Sequence, residues 1–366
     1  MKLFLNIKSS ARERHWDTYK EAQKLFNVEK VNIQEQSSFK TYSKNQVSIM
    51  SKIKSKILQN LDLINYQIVP KKDVNLYYVW GSIPKNIDNY IIEFDNPYVM
   101  TYYKVSAFHN KTDVLRDELK KSKKITFLSN AAKNHFLHYF PEFEEKSFIN
   151  YPFMKRNYLN NKRDNKNINF IFVGLDFERK GGLEVLEAFS KVADENMVLN
   201  FVSYVKDEIK QKYENVNFIK PLKREKLFEL YKQMDVFIMP TLHESFGVVF
   251  LEALSFGMGI IGTDVYATPE MIQNDFNGKL LHHPFIKPMV YNGLQVIDCT
   301  QKRIGEFNQN YRENGEFYYS LYQELKEAIL EAKDNYKIWQ KNSITLYEKK
   351  FSEEIWRDNF KRIIEK

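Results

Sequence analysis

Cysteine is almost missing from this chain: Cys299 is the one thiol in 366 residues. A single thiol forms no internal disulfide, which excludes a stapled secreted scaffold and any zinc or iron–sulfur centre built from cysteine. A reducing compartment fits that usage. Long apolar runs are missing as well. No stretch of 18 apolar residues occurs, so no membrane-spanning helix is expected. The first eight residues, MKLFLNIK, turn polar too soon to form the core of a signal peptide. The expectation is a cytoplasmic protein, with at most peripheral contact with an anionic membrane. Nucleic-acid motifs are absent and the basic residues are dispersed, which argues against a nucleic-acid partner. His135 with His138 and the pair His282–His283 are close in sequence. With no neighbouring cysteine and few acids, neither pair predicts a metal centre.

What the chain does contain is core material. Apolar residues make up 43% and aromatic residues 15%, which excludes a disordered or fibrous chain. At roughly 150 residues per domain, two domains are expected. The net charge of +8 is unevenly placed: residues 1–153 carry 24 basic and 16 acidic side chains, the whole excess, and the remainder is balanced. An anionic partner for the first part, such as a phosphate-bearing acceptor or a membrane surface, is one reading; a solvated lysine-rich face is the other. Residues 46–64 place Met50, Ile53, Ile57, Leu61 and Ile64 at helical spacing, with Lys52, Lys54 and Lys56 between them. That pattern predicts an amphipathic helix, packed on a sheet or lying on a membrane.

Short β-rich runs alternate with helical segments from about residue 66, at 66–69, 75–79, 90–94 and 125–129, the last followed by a helix reaching 140. The alternation predicts a parallel sheet with crossover helices. A polar stretch over 155–167 reads as a linker. Beyond it the alternation restarts: strands at 168–173, 198–202, 216–219, 236–239 and 259–262, helices at 181–192, 224–232 and 248–256, then charged helices closing at 351–365. The fold class expected is α/β, with two doubly wound Rossmann-like domains. The expected boundaries are 1–152, 153–340 and a terminal helical segment 341–366 that crosses back to the first domain.

Two turns carry chemistry. After the strand ending at Val173 come Gly174, then Arg179 and Lys180, then Gly181–Gly182 at a helix start. A helix N-terminus with two cations suits a diphosphate, although such a basic pair is also common on solvated surfaces. The second turn reads Pro240-Thr-Leu-His-Glu244-Ser245-Phe246-Gly247-Val248-Val249, followed by Glu252 inside an otherwise apolar helix. Gly247 admits close approach of a ligand, and the N–H groups from Phe246 to Val249 are orphan donors of a helix start. An unpartnered carboxylate at Glu252 is costly. Either the vicinal hydroxyls of a ribose, or a basic side chain or solvent, is its expected partner.

These residues resemble the donor-binding half of the retaining glycosyltransferases of family four (group 1), which have the GT-B fold. The matching features are Glu244-Ser-Phe-Gly with Glu252, Phe172-Val-Gly with Lys180-Gly, and Pro269-Glu-Met-Ile through Asn277-Gly, over roughly residues 168–283. The resemblance implies two domains facing across a cleft and a nucleotide-diphosphate sugar, UDP- or GDP-linked, as donor substrate. It implies catalytic roles for Glu244, Lys180 and Arg179. Glu252 would bind the ribose and Lys180 the diphosphate, while Glu244 with the backbone of Ser245, Phe246 and Gly247 would hold the transferred sugar. Val248 and Val249 would offer N–H groups to phosphate beside Gly174, and the base would lie near Ser203–Tyr204 and 219–222. Where many members carry arginine after the first glycine, Leu175 stands here, and Arg179 is the candidate substitute. No cofactor and no metal are implied. The acceptor would be a glycan, a lipid-linked glycan or a surface polysaccharide, with Ser9, Ser10, Arg12, Asp95 and His109 as acceptor-side candidates. A related phosphorylase or epimerase, or a non-catalytic scaffold subunit, are the alternatives.

Overall fold

The computed structural model describes residues 1–7, 11–31, 62–158, 167–213, 215–299 and 318–365. Ser9 and Ser10, and all but the last three residues of the helix predicted at 46–64, lie outside them. The chain divides into two compact units, Met1–Pro152 with Arg357–Lys366, and Phe153–Trp356.

In the first unit six parallel strands form one sheet, in the order Asn27–Val28, Lys2–Leu5, Leu76–Trp80, Tyr90–Phe94, Ser122–Phe127 and Ser147–Ile149. Every side chain of Tyr90–Phe94 is buried. Parallel strands covered by helices on both faces need such unbroken apolar runs rather than alternation. The run predicted at 66–69 is instead a two-residue strand, Tyr66–Gln67, paired with Ile83–Pro84 outside the main sheet. Its polar Gln67 explains the difference: Gln67 accepts from Asn6 Nδ2 at 2.9 Å and donates to Ser82 O at 2.5 Å, so it ties loops rather than filling the core. The helix Asn130–Tyr139 starts at Ser129, whose hydroxyl accepts from Ala132 N at 3.0 Å.

The second unit repeats the plan with greater regularity. Its sheet runs Val216–Ile219, Met197–Val202, Ile168–Val173, Val236–Met239, Gly259–Thr263 and Gly278–Leu281, all parallel. In order of appearance that is 3-2-1-4-5-6, the order of a dinucleotide-binding fold. Phe172 and Phe201 stack across adjacent strands with centroids 4.2 Å apart, worth about 1 kcal/mol beyond the area they bury. The 32-residue helix Tyr319–Lys350 buries Trp339 and Tyr347 in this unit. Among the described residues no helix is long and apolar enough to cross a membrane.

The last helix, Glu353–Glu365, serves both units in turn. Trp356 packs on Phe153 at 4.9 Å, whereas Phe360 lies against Tyr78 and Phe26 of the first unit. Arg357 anchors the first-unit part, donating from Nε and Nη2 to Glu21 Oε2 at 2.9 and 2.8 Å, and Glu21 is nearly fully buried. Burial alone raises the Glu21 carboxyl; Lys24 and Arg357 outweigh it and hold the group below its ordinary value. The pair therefore stabilises the fold above the ordinary carboxylate range, and that stability is lost as pH falls through the depressed folded value. Arg357→Ala is expected to cost about 2 kcal/mol at pH 7. Denaturant melts at several pH values check this: the difference from wild type must shrink below pH ~4.

Candidate functional site

Where a doubly wound sheet reverses its strand order, the loops leaving the two central strands part to opposite faces and open a crevice at their carboxyl ends. In the second unit the reversal falls between Ile168–Val173 and Val236–Met239. Both chemistry-bearing turns leave the sheet there. The structure welds them together. Gly181, with φ +72°, presses on the second turn so closely that a Cβ would stand 2.2 Å from Pro240 O, so no other residue fits. Leu242 N donates to Arg179 O at 3.0 Å, and Lys180 Nζ donates to His243 O at 3.2 Å. Gly174 is bare for a related reason: a Cβ would meet the Lys180 stem at 3.1 Å.

Lys180 Nζ meets Glu244 Oε2 at 2.6 Å, with both side chains largely shielded. Burial alone would raise the Glu244 carboxyl, yet Lys180 and the Ser245 N–H, 3.2 Å from Oε1, hold it below its ordinary value. An ionised carboxylate beside an ammonium results. Arg179 is fixed from two sides, by Asp176 Oδ2 at 3.3 Å and His243 Nδ1 at 3.5 Å. Leu175, where arginine was the resemblance's expectation, is solvent-exposed. Gly247, at φ +84°, caps the helix Val248–Ser255, and a Cβ there would strike Phe250 Cδ2 at 2.6 Å. The first-turn N–H groups at Val248 and Val249 belong to the orphan donors of that helix. Ser203, near the predicted base site, is buried and donates to Gly174 O, while Tyr204 is exposed.

Glu252 is buried and has a cation for company: Arg224 Nε lies 3.6 Å from Glu252 Oε1. The carboxylate's partner within the chain is thus a basic side chain, as one of the two sequence readings allowed. The fully buried Tyr231 hydroxyl lies within electrostatic reach of both. Sequence reasoning missed Arg224, His243, Asp176 and Cys299, whose Sγ donates to Glu244 O at 3.4 Å. His243, between a leucine and the glutamate, carried one signal: it directly precedes Glu244. Arg224, at a helix start 28 positions before its partner, carried none.

In the first unit, Asp95 accepts from Tyr103 Oη at 3.0 and 2.9 Å. Arg12 precedes the helix Glu13–Leu25 and lies within electrostatic reach of Tyr103. His109 sits instead on the helix Val105–Asn110, among Tyr98, Phe108 and Tyr139.

Burial, with Arg179 and Lys180 beside it, pushes the His243 imidazole down to about 4. The ring is therefore neutral at pH 7, so it accepts or donates without adding charge to the site. Histidine-selective NMR titration checks this: His243 is expected to stay neutral until about pH 4, and Arg179→Ala or Lys180→Ala to shift its midpoint upward. A midpoint near 6.5, the unperturbed value, contradicts the arrangement.

Residues 156–316 match the family model described as "Glycosyl transferases group 1". An "Uncharacterized 41.2 kDa protein in cps region" of Klebsiella pneumoniae is 32% identical over 127 residues, 33% of this chain and 35% of that protein. The chain thus spans about a third of the length of that relative. Among solved structures, WaaG, "a glycosyltransferase involved in lipopolysaccharide biosynthesis", aligns at TM-score 0.58 and 15% identity over 99% of this chain and 98% of its own. Anabaena Alr3699/HepE, solved with UDP and glucose, aligns at TM-score 0.57 and 12% identity over 100% and 99%. The fold of the chain is the GT-B fold, with two Rossmann-like domains, and its second unit bears the group 1 glycosyltransferase pattern.

Proposed function

We infer that the chain is a retaining glycosyltransferase of family four, which moves a sugar from a nucleoside-diphosphate donor to a hydroxyl of a glycan, lipid-linked glycan or surface polysaccharide. The observation that carries the reading is the convergence of Arg179, Lys180 and Glu244 with the Gly247 helix start, at the strand reversal of a 3-2-1-4-5-6 sheet. Supporting it, HepE binds UDP and glucose, and the Klebsiella relative is encoded in a cps region.

In this reading Lys180 and Arg179 face the diphosphate with the N–H groups of Val248 and Val249. They stabilise the charge that develops as the anomeric carbon–phosphate oxygen bond breaks. The acceptor oxygen bonds to the anomeric carbon from the face the leaving group departs, and its proton passes to the leaving phosphate oxygen. No protein base is required. Glu244 and the backbone at Ser245, Phe246 and Gly247 hold the sugar; Glu252 accepts from the ribose hydroxyls. Its ion pair with Arg224 leaves capacity for this, because an ionised carboxylate offers about four acceptor positions. Two cations and a helix dipole serve where other enzymes use a divalent ion, and no cofactor takes part.

Calorimetric titration with UDP, GDP and their sugar conjugates tests the reading. One nucleotide class is expected to bind, and Glu252→Ala to weaken it at least about tenfold, near 1.4 kcal/mol, with the melting temperature kept. Lys180→Ala is expected to lower kcat by about two orders of magnitude while uridine or guanosine binding stays unchanged. Turnover is expected to persist in chelator; loss of activity in EDTA, restored by a divalent ion, overturns the metal-free account.

A further inference from the structure

Four consecutive carbonyls of the second turn, those of residues 241–244, are each held by a side chain. The turn lies outside helix and strand, so these groups have no ladder to join. Thr241 O accepts from Thr263 Oγ1, Leu242 O from His283 Nε2 at 3.1 Å, and Glu244 O from Cys299 Sγ at 3.4 Å. His243 O accepts from Thr241 Oγ1 at 3.0 Å and from Lys180 Nζ at 3.2 Å. Among these donors His283 is itself firmly placed. It follows the strand Gly278–Leu281 and is buried. Its N–H donates to Asp264 Oδ1 at 2.7 Å, and Asp264 N donates to Leu281 O at 2.9 Å. Nδ1 lies 3.1 Å from Ile286 N and 3.4 Å from Phe285 N, and the Phe285 ring stands edge-on to the imidazole with centroids 4.5 Å apart.

Those partners leave one tautomer. Two N–H groups require Nδ1 to be a bare acceptor, and a carbonyl requires Nε2 to carry the proton. Both nitrogens are thereby used inside the chain, which removes His283 from any metal site with the neighbouring His282. Burial pushes the imidazole down to about 4, against the Leu242 carbonyl, which favours the charged form. The ring is neutral at pH 7. Anchoring its own loop needs only the acceptor; the donor serves a segment 41 positions away. A peptide unit is planar, so fixing the Leu242 carbonyl also fixes the His243 N–H, which donates to Thr241 Oγ1 at 3.4 Å. The adjoining plane is held by Thr263 at the Thr241 carbonyl and by Arg179 O at Leu242 N. With both planes set, the backbone of Leu242 is fixed on either side. The His243 ring and carbonyl are then delivered to Arg179 and Lys180.

We propose that His283 is a positioning residue, whose Nε2–H holds the Leu242 carbonyl and thereby sets the 241–244 turn against Arg179 and Lys180. Resting on the function inferred above, that turn is half of the donor site, so loss of this one bond weakens nucleotide binding although the His283 ring is occupied within the chain. The double task explains why an imidazole stands here. A glutamine amide reaches as far as Nε2 but lacks the acceptor at the place of Nδ1. Asparagine offers that acceptor and falls short of Leu242. Histidine supplies both.

Nitrogen NMR of the histidine rings, on the full wild-type chain and two variants, tests the proposal. In wild type at neutral pH, His283 is expected to carry its proton on Nε2; a proton on Nδ1 overturns the arrangement. His283→Gln keeps the donor to Leu242 O, and His283→Asn keeps only the acceptor for the 283–286 loop. His243 serves as reporter, because its low midpoint depends on burial and on Arg179 and Lys180. In His283→Gln that midpoint is expected to stay at about 4. In His283→Asn the proton affinity of His243 is expected to rise about tenfold. Whichever of UDP and GDP binds wild type is expected to bind His283→Gln within about twofold, and His283→Asn about fivefold more weakly, the loss of one hydrogen bond. A His243 midpoint unmoved in His283→Asn, or moved as far in His283→Gln, overturns the proposal. So does nucleotide affinity that His283→Asn leaves intact. Where the melting curve shows that His283→Asn does not fold, the wild-type tautomer and the His283→Gln midpoint decide. Failure of wild type to bind either nucleotide speaks against the donor reading alone, since the His243 titrations are read independently of it.

Discussion

Each half of this chain is organised by the point at which its parallel sheet reverses order. Parallel strands joined by crossover helices direct every connection of one kind to the same end of the sheet. Only at the reversal do neighbouring strands send their connections to opposite faces. Backbone donors, cations and carboxylates placed in those two connections are brought together without any further device. In the second unit the connections after Val173 and Met239 are locked by the contact of Gly181 with Pro240 and by the bond from Leu242 N to Arg179 O. The Lys180–Glu244 pair then forms across two segments 64 positions apart.

Electrostatics decide what that arrangement can hold. Among the described residues Lys180 faces the shielded Glu244 at 2.6 Å, while Arg179 faces the more exposed Asp176 at 3.3 Å and a neutral His243. Local positive character therefore resides more with Arg179 than with the lysine. In the function proposed above, an incoming diphosphate would compete with Glu244 for Lys180, and a sugar hydroxyl that donates to the glutamate would ease that competition. In that reading, binding of the two donor parts is coupled through the Lys180–Glu244 pair. The guanidinium of Arg224 stands beside Glu252 in a comparable way, with Nε 3.6 Å from Oε1 of the buried carboxylate.

Sequence reasoning recovered what is local. The strands at 90–94, 168–173, 216–219 and 236–239 match their structural bounds because buried parallel strands write themselves as short apolar runs. The two donor-side turns were legible because each joins glycine, charge and a helix start within a dozen residues. Pairings across long separations were not. Arg14 with Glu93, Arg224 with Glu252 and Arg179 with His243 leave no periodic trace, since their spacing is set by tertiary structure alone. The left-handed tyrosines 102 and 103 were hidden for another reason: the residue types expected at positive φ are glycine and asparagine, and tyrosine there contradicts local preference.

The contradiction occurs in both units, since Tyr266 of the second has φ 48°. The two turns at the strand reversal of the second unit obey local rules, with glycine at the left-handed, crowded positions 181 and 247. UDP- and GDP-linked sugars carry the same diphosphate and ribose, so in the function proposed above a site for them can rest on backbone N–H groups and a few fixed charges. Among the described residues, buried polar atoms without a hydrogen-bond partner occur in both units, at His15 and Trp80 in the first and at Tyr231 in the second. Side chains are what distinguish one polyhydroxylated ligand from another. A site that hydrogen-bonds a particular hydroxyl rejects a ligand lacking it far more strongly than an apolar surface can.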